Sequence, residues 1–402
     1  MKPMEKKRSV LGKINFDVQE ERLAIKPKKG ALLIGIPKET CYEEKRVCLT
    51  PDAVAAMVFE GHQIIIETNA GLASNFSDKE YADAGAKIAY HNKEIFECSL
   101  ILMVSPPSLD EIKLMRPNTF LVSCLQLKTQ TASYIKALAK KKITAIAFDY
   151  IKDSDGSYPI LKSLSEIAGN ASILIASELM NTEKGGSGRL LGNVSGVPPT
   201  EVVILGAGTV GLSAAKTAVA LGAGVKVFDN SITRLRKLQQ AINTPIYTST
   251  IHHKVLVKAL MRGDVFIGAI KGKSRTPIVV SEDMVSVMKE GAVIVDVSID
   301  NGGCFETSEI TTHSKSTFKK YGVIHYGVPN IPSRYAKTAT LSISNIITSY
   351  LLNIGNDGGF ENAFKYDTSI RNGMYLYKGV VTKKAVAEWF QMPYTDINLL
   401  IL

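Results

Sequence analysis

The stretch EVVILGAGTVGLSAAKTAVALGAGVKVFDN (201–230) decides the fold of this chain. An apolar run, VVIL, leads into Gly206-Ala207-Gly208-Thr209-Val210-Gly211. A helix-forming run follows, and a second strand-like run, VKVF, ends at Asp229. Strand, glycine turn, helix and strand with an acid at its end make up a dinucleotide-binding βαβ unit. Gly206 permits the tight turn, Gly208 lets backbone approach a pyrophosphate, and Gly211 lets helix and strand pack closely. The phosphates then meet the N–H groups of Thr209 and Val210 at the positive end of the helix. Asp229 is set to accept both hydroxyls of a ribose, and its charge repels a 2′-phosphate, so NAD(H) is expected over NADP(H).

Outward from this unit the chain keeps alternating between strand and helix. Towards the N-terminus, ALLIGIP (31–37), HQIIIET (62–68), LILMVS (100–105), TFLVSCL (119–125) and ITAIAFDY (143–150) read as buried strands. Thr50-Pro51 and Ser77 are helix-start signals between them. LSEIAGNASILIASELM (164–180) reads as a long connecting helix. The glycine- and proline-rich stretch 184–199 punctuates the chain before the second series, which continues through DVFIGAI (264–270), AVIVDVSI (292–299) and GVIHYGVP (322–329). TATLSISNIITSYLLNIG (338–355) is an amphipathic helix, and the tail reads as helices without strand partners. The expected class is α/β: two Rossmann-like, doubly wound parallel sheets joined by long helices, with a cleft between them.

Composition narrows the function. Hydrophobic residues are 45% and charged residues 21% of 402, as in globular enzymes. No apolar run approaches the length of a membrane span, and no signal peptide is recognisable. Five scattered cysteines without a CxxC pair predict reduced thiols, no metal cage and a cytoplasmic protein. Half of the formal net charge of +10 sits in residues 1–30, read as a loosely ordered basic leader, so nucleic acid is not an expected partner.

From about Ile34 to Thr340 the chain resembles alanine dehydrogenase and the soluble NAD-binding component of proton-translocating transhydrogenase. The carrying segments are IGIPKET (34–40), EKRVCLTPDAV (44–54), SEIAG (165–169), GGSGRLLGNVSGVPP (185–199), VVILGAGTVG (202–211) and VDVSIDNGGCFE (295–306). The resemblance implies a central nucleotide domain, 156–334, and a substrate domain built from 31–155 and 335–402. It leans to alanine dehydrogenase because the helix SITRLRKLQQ follows Asp229 at once, without the insertion typical of the transhydrogenase component. NIPSRYA (330–336) looks more like the transhydrogenase side. Ser165 matches a cofactor-contacting serine, Asp300 an active-site aspartate, and Arg46 a carboxylate-binding arginine. The strand through His325 leads to Asn330 at the expected nicotinamide pocket.

Two positions depart from the family. Ser105 stands where the family has a substrate-polarising lysine, and Gln126 where it has the catalytic histidine. A hydroxyl lacks the point charge of an ammonium, and an amide cannot exchange a proton near neutral pH. Gln126 can still hydrogen-bond a carbonyl, and Lys128 lies on the same face if the strand continues. His325 reads more readily as a half-buried strand histidine than as a replacement. The expected function is NAD-dependent oxidation of alanine, or of a related small amino acid, to the 2-oxo acid by a homo-oligomer, hexameric or dimeric. The alternatives are a transhydrogenase-type NAD(H) carrier and a catalytically degenerate NAD(H) sensor.

Overall fold

The computed structural model describes residues 30–153, 155–272 and 275–401. The basic leader lies outside these residues except for Gly30.

Two sheets organise the chain. The first contains β1 (Leu33–Ile36), β2 (Gln63–Glu67), β3 (Lys87–Ala89), β4 (Leu100–Leu102), β5 (Phe120–Ser123) and β6 (Thr144–Ala147). These strands are parallel, in the order β3-β2-β1-β4-β5-β6. The second contains β7 (Glu201–Leu205), β8 (Gly224–Phe228), β9 (Tyr247–Ser249), β10 (Val265–Gly268), β11 (Val293–Asp296), β12 (Thr317–Lys320) and β13 (Val323–Tyr326). Its parallel part runs β9-β8-β7-β10-β11-β13, with β12 antiparallel at the edge. Both orders have the doubly wound form, in which ligands bind beyond the strand ends where the winding reverses. That reversal falls between β1 and β4 in the first sheet and between β7 and β10 in the second. The strands are apolar along nearly their whole length, as Val202–Leu205 and Val293–Val295 illustrate, because helices cover both faces.

Two helices of 21 residues, Pro159–Leu179 and Ala336–Asn356, run between the sheets and pack on each other. Gly169 sits where the first of them crosses the helix after the glycine turn. A Cβ there would lie 2.4 Å from the carbonyl oxygen of Val210. The caps read from sequence are present: Thr50 accepts from the amide of Ala53, and Ser77 forms a capping box with Glu80.

The tail corrects one expectation. It is not purely helical: β14 (Met374–Tyr377) and β15 (Val380–Val381) form a hairpin that adds antiparallel to β6. Lys378 and Gly379, both at positive φ, make its turn, the geometry that suits the twist of a two-residue hairpin. The hairpin covers the β6 edge and buries Tyr375 and Leu376. The strands are also shorter than expected. β4 stops at Leu102 and β5 at Ser123, so Ser105 and Gln126 stand on the loops beyond the strand ends.

Candidate active site

The dinucleotide half is built mostly by backbone. Gly206 has φ 109°, a conformation that side chains resist, and a Cβ on it would lie 2.4 Å from the carbonyl of Ala269. A Cβ on Gly211 would lie 1.9 Å from the oxygen of Gly206, so this position closes helix against turn. A Cβ on Gly208 would meet nothing within 4 Å. This is the open cradle that a pyrophosphate needs at the start of the helix Thr209–Ala220. Asp229 is buried: its Oδ2 accepts from the amide of Ala207 at 2.8 Å and its Oδ1 from Ser231 at 2.7 Å. The carboxylate therefore ties the end of β8 to the glycine turn while bordering the cleft. That cleft encloses about 490 Å³ and brings Gly206, Gly208, Thr209, Val210, Asp229 and Ser165 together, with Arg234 and Lys271 beside them. The residues fit NAD(H): backbone N–H groups for the pyrophosphate, a carboxylate for the ribose and Ser165 on the facing helix.

The substrate half is built by side chains. Arg46 is buried rather than on the surface, and its Nε and Nη2 engage Glu44 at 2.6 and 2.5 Å. Burial alone would raise the Glu44 carboxyl, but the guanidinium beside it holds it below the usual range. The loop carrying both is pinned from below: Val47 donates to Thr340 Oγ1, Thr50 to Ser344 Oγ and Lys45 to Ser333 Oγ.

Asn330, at φ 52°, joins this pair to Asp300. Its Nδ2 donates to Glu44 Oε2 at 3.0 Å and its backbone N–H to Asp300 Oδ1 at 3.0 Å. Asn330 thus bridges the substrate-side carboxylates and is not among the residues lining the dinucleotide cleft. The turn that presents Asp300 is organised by buried Asp296, which accepts from the amides of Ser298, Cys304 and Phe305 and from Ser308 Oγ. Asp300 keeps an exposed edge. Desolvation by the surrounding cleft still raises its carboxyl, against the pull of the Asn330 N–H and of Arg46.

Ser105 and Gln126 differ in their surroundings. Ser105 is 1% exposed, and its hydroxyl has no hydrogen-bond partner. A substrate cannot reach it unless the loop moves. Gln126 is exposed, but at φ 45° it turns the chain away from the strand direction. Lys128 therefore does not lie on a continued strand face. It arrives through the 3-10 turn Leu127–Thr129, and its Nζ donates to Asn301 Oδ1 at 2.6 Å. His325 belongs to the core. Its Nδ1 faces the carbonyl of Val323 and so carries the proton, its Nε2 accepts from Thr307, and its ring stacks on Phe318. Among the described residues no group of His, Cys, Asp and Glu is arranged for a metal, and no helix is long and apolar enough to cross a membrane.

Glu39 escaped the sequence reading. It follows β1, and its carboxylate accepts from the amides of Val104 (2.5 Å) and Ser105 (3.1 Å), spanning the β1–β4 reversal point. Burial, reinforced by nearby Glu44, pushes its carboxyl up to about 8. The signal available was an acid just past a buried strand, which is also how a loop acid reads.

The comparisons agree with this geometry. Residues 35–168 match the N-terminal domain of the alanine dehydrogenase/PNT family, and residues 172–384 its C-terminal domain. The chain is 41% identical over 367 residues to an alanine dehydrogenase of Methanococcus maripaludis, covering 90% of this chain and 98% of that protein. It is 37% identical to one of Staphylococcus epidermidis, covering 91% and 98%. Among solved structures, an L-alanine dehydrogenase superposes with a TM-score of 0.85 at 34% identity, covering 90% of this chain and 99% of that one. A transhydrogenase from Sinorhizobium meliloti shares the fold, with a TM-score of 0.75 at 23% identity and 88% and 99% coverage.

Proposed function

This chain belongs to the alanine dehydrogenase/PNT family, and we propose that it is an NAD-dependent oxidoreductase interconverting a small amino acid and its 2-oxo acid. The observation that carries the reading is the linked set Arg46–Glu44–Asn330–Asp300 beyond the strand ends; the turn that presents Asp300 touches the dinucleotide cleft through Ser298, whose Oγ accepts from the amide of Ile270. In the oxidative direction an amino acid, NAD and water give the 2-oxo acid, ammonium, NADH and a proton. When bound, the cofactor supplies the hydride acceptor. The Gly206–Gly211 turn and Asp229 hold it, and Ser165 borders it from the connecting helix. Arg46 and its neighbours orient the substrate. Asp300, held by the Asn330 N–H at the exposed side of the set, is the group placed to accept or release the reaction's proton.

Residues 31–155 with 335–402 form the substrate domain of this reading, and 156–334 the nucleotide domain. A homo-oligomer working in the cytoplasm is the reading that the family resemblance favours, and light scattering distinguishes hexamer from dimer. The test of function is NADH production from a panel of small amino acids at alkaline pH, run beside NAD binding. Turnover with one of them supports the reading. Tight NAD binding with no turnover favours a carrier or sensor, the alternative to which the sealed Ser105 hydroxyl points.

A further inference from the structure

The Arg46 crevice offers little free positive charge. Position 105 carries no ammonium, and the Nε and Nη2 of Arg46 are already taken by Glu44, which offsets its charge. Asp300 and the Glu44 carboxylate both act on the same guanidinium. An amino acid or 2-oxo acid carries a carboxylate, and it must find a cation here.

We propose that Lys128 is that cation: it enters from the loop after β5, and it binds the substrate carboxylate beside the turn that carries Asp300. This rests on the reading of the protein as an amino-acid or 2-oxo-acid oxidoreductase. Two independent observations carry it.

The first is the bond that Lys128 makes. Its Nζ lies 2.6 Å from Asn301 Oδ1, 173 positions along the chain. Asn301 adjoins Asp300, so the ammonium stands at the rim of the Arg46–Asn330–Asp300 set. An ammonium has three donors, and Asn301 engages one of them. A neutral amide oxygen is a partner that an incoming carboxylate displaces, because the ammonium and the carboxylate attract each other as two full charges.

The second is the turn that delivers Lys128. Gln126 adopts left-handed backbone, an uncommon conformation for a residue with a Cβ. That kink ends the β5 direction and sends Leu127–Thr129 toward the second sheet, with the Thr129 amide closing on the Gln126 carbonyl at 2.9 Å. Behind the kink, Asp149 Oδ1 accepts the Leu125 amide at 3.4 Å. Leu127 packs against the core, so Lys128 projects from an anchored turn and not from a free loop.

The test titrates pyruvate into the full-length protein saturated with NADH, read by calorimetry, with acetone as a probe that keeps the carbonyl and lacks the carboxylate. Lys128→Met should weaken pyruvate binding about 10- to 100-fold, the worth of one charge-assisted bond. It should leave acetone and NADH binding and the melting temperature unchanged. Lys128→Arg should recover most of the loss. Equal pyruvate affinity in the parent and Lys128→Met overturns the proposal and leaves the functional reading intact. A parent that binds NADH but neither pyruvate nor other small 2-oxo acids overturns the functional reading, and this proposal with it.

Discussion

The turn after β7 and the loops after β4 and β5 both lie beyond the carboxyl ends of parallel strands, in two sheets of the same strand order, yet they are built differently. The dinucleotide turn keeps every part it needs: positive φ at Gly206, open space at Gly208, tight closure at Gly211 and a buried carboxylate at Asp229. The substrate loops keep Arg46 and Asp300 but carry a sealed hydroxyl at Ser105 and an outward-turned amide at Gln126. The contrast follows from what each site is made of. A pyrophosphate site is made largely of backbone, and its glycines also hold the fold together, so losing it costs stability. A proton-transfer site is made of side-chain ends, which can change without disturbing the sheet beneath them. Binding and catalysis can therefore part company within one chain.

The largest expected effect comes from restoring the substituted half. Ser105→Lys together with Gln126→His should raise alanine-dependent NADH formation by about 10²- to 10⁴-fold, the range that a general acid–base contributes. The gain requires that Arg46 and Asp300 are correctly placed, and the two changes need not add. No gain, with NADH binding intact, would show that these two positions do not limit the reaction.

Next come the glycines, which separate fold from binding inside the intact half. Gly211→Ala places a Cβ 1.9 Å from a backbone oxygen and should lower the melting temperature by roughly 5–10 °C, as a strained substitution costing a few kcal/mol does in a domain of this size. Gly208→Ala meets open space, so it should leave melting unchanged while weakening NADH binding at least tenfold. Equal melting temperatures for both variants would contradict the assignment. A smaller effect is expected from Asp229→Ala, which removes the repulsion of a 2′-phosphate and should narrow the preference for NAD over NADP. Calorimetry giving equal affinities already in the parent would remove the basis for it.

The smallest effect is a pH slope. Burial raises Glu39 from 4.5 to about 8, so between those values the unfolded chain has released a proton that the folded chain still holds. The contribution of this group to stability is complete below about pH 4.5 and is lost as pH rises through 8. Glu39→Gln should flatten the fall in melting temperature across that window. An unchanged slope would mean that Glu39 does not titrate there.

Much of this was legible in the sequence. The βαβ unit at 201–230 and the α/β class were readable, because strand periodicity and glycine turns are local signals. The β14–β15 hairpin was missed although Lys378-Gly379 between MYLY and VV is a hairpin cue, since what fixes it is the open edge of β6, more than 200 residues away. Glu39, Glu44 and Lys128 gained meaning only through distant partners: the amides after β4, Arg46 with Asn330, and Asn301. The sealing of Ser105 was likewise invisible, because burial of one hydroxyl depends on how the loop beyond β4 packs.

The central claim is that cofactor binding is intact while proton transfer is impaired. Its most direct test is the turnover number for NADH formation from alanine and other small amino acids at alkaline pH, measured on protein whose NAD occupancy is established in the same sample. The account predicts full occupancy with turnover at or below about 0.1 per second, a typical enzyme rate reduced by the loss of an acid–base group. Turnover of about 10 per second or more in the unmodified protein would contradict it.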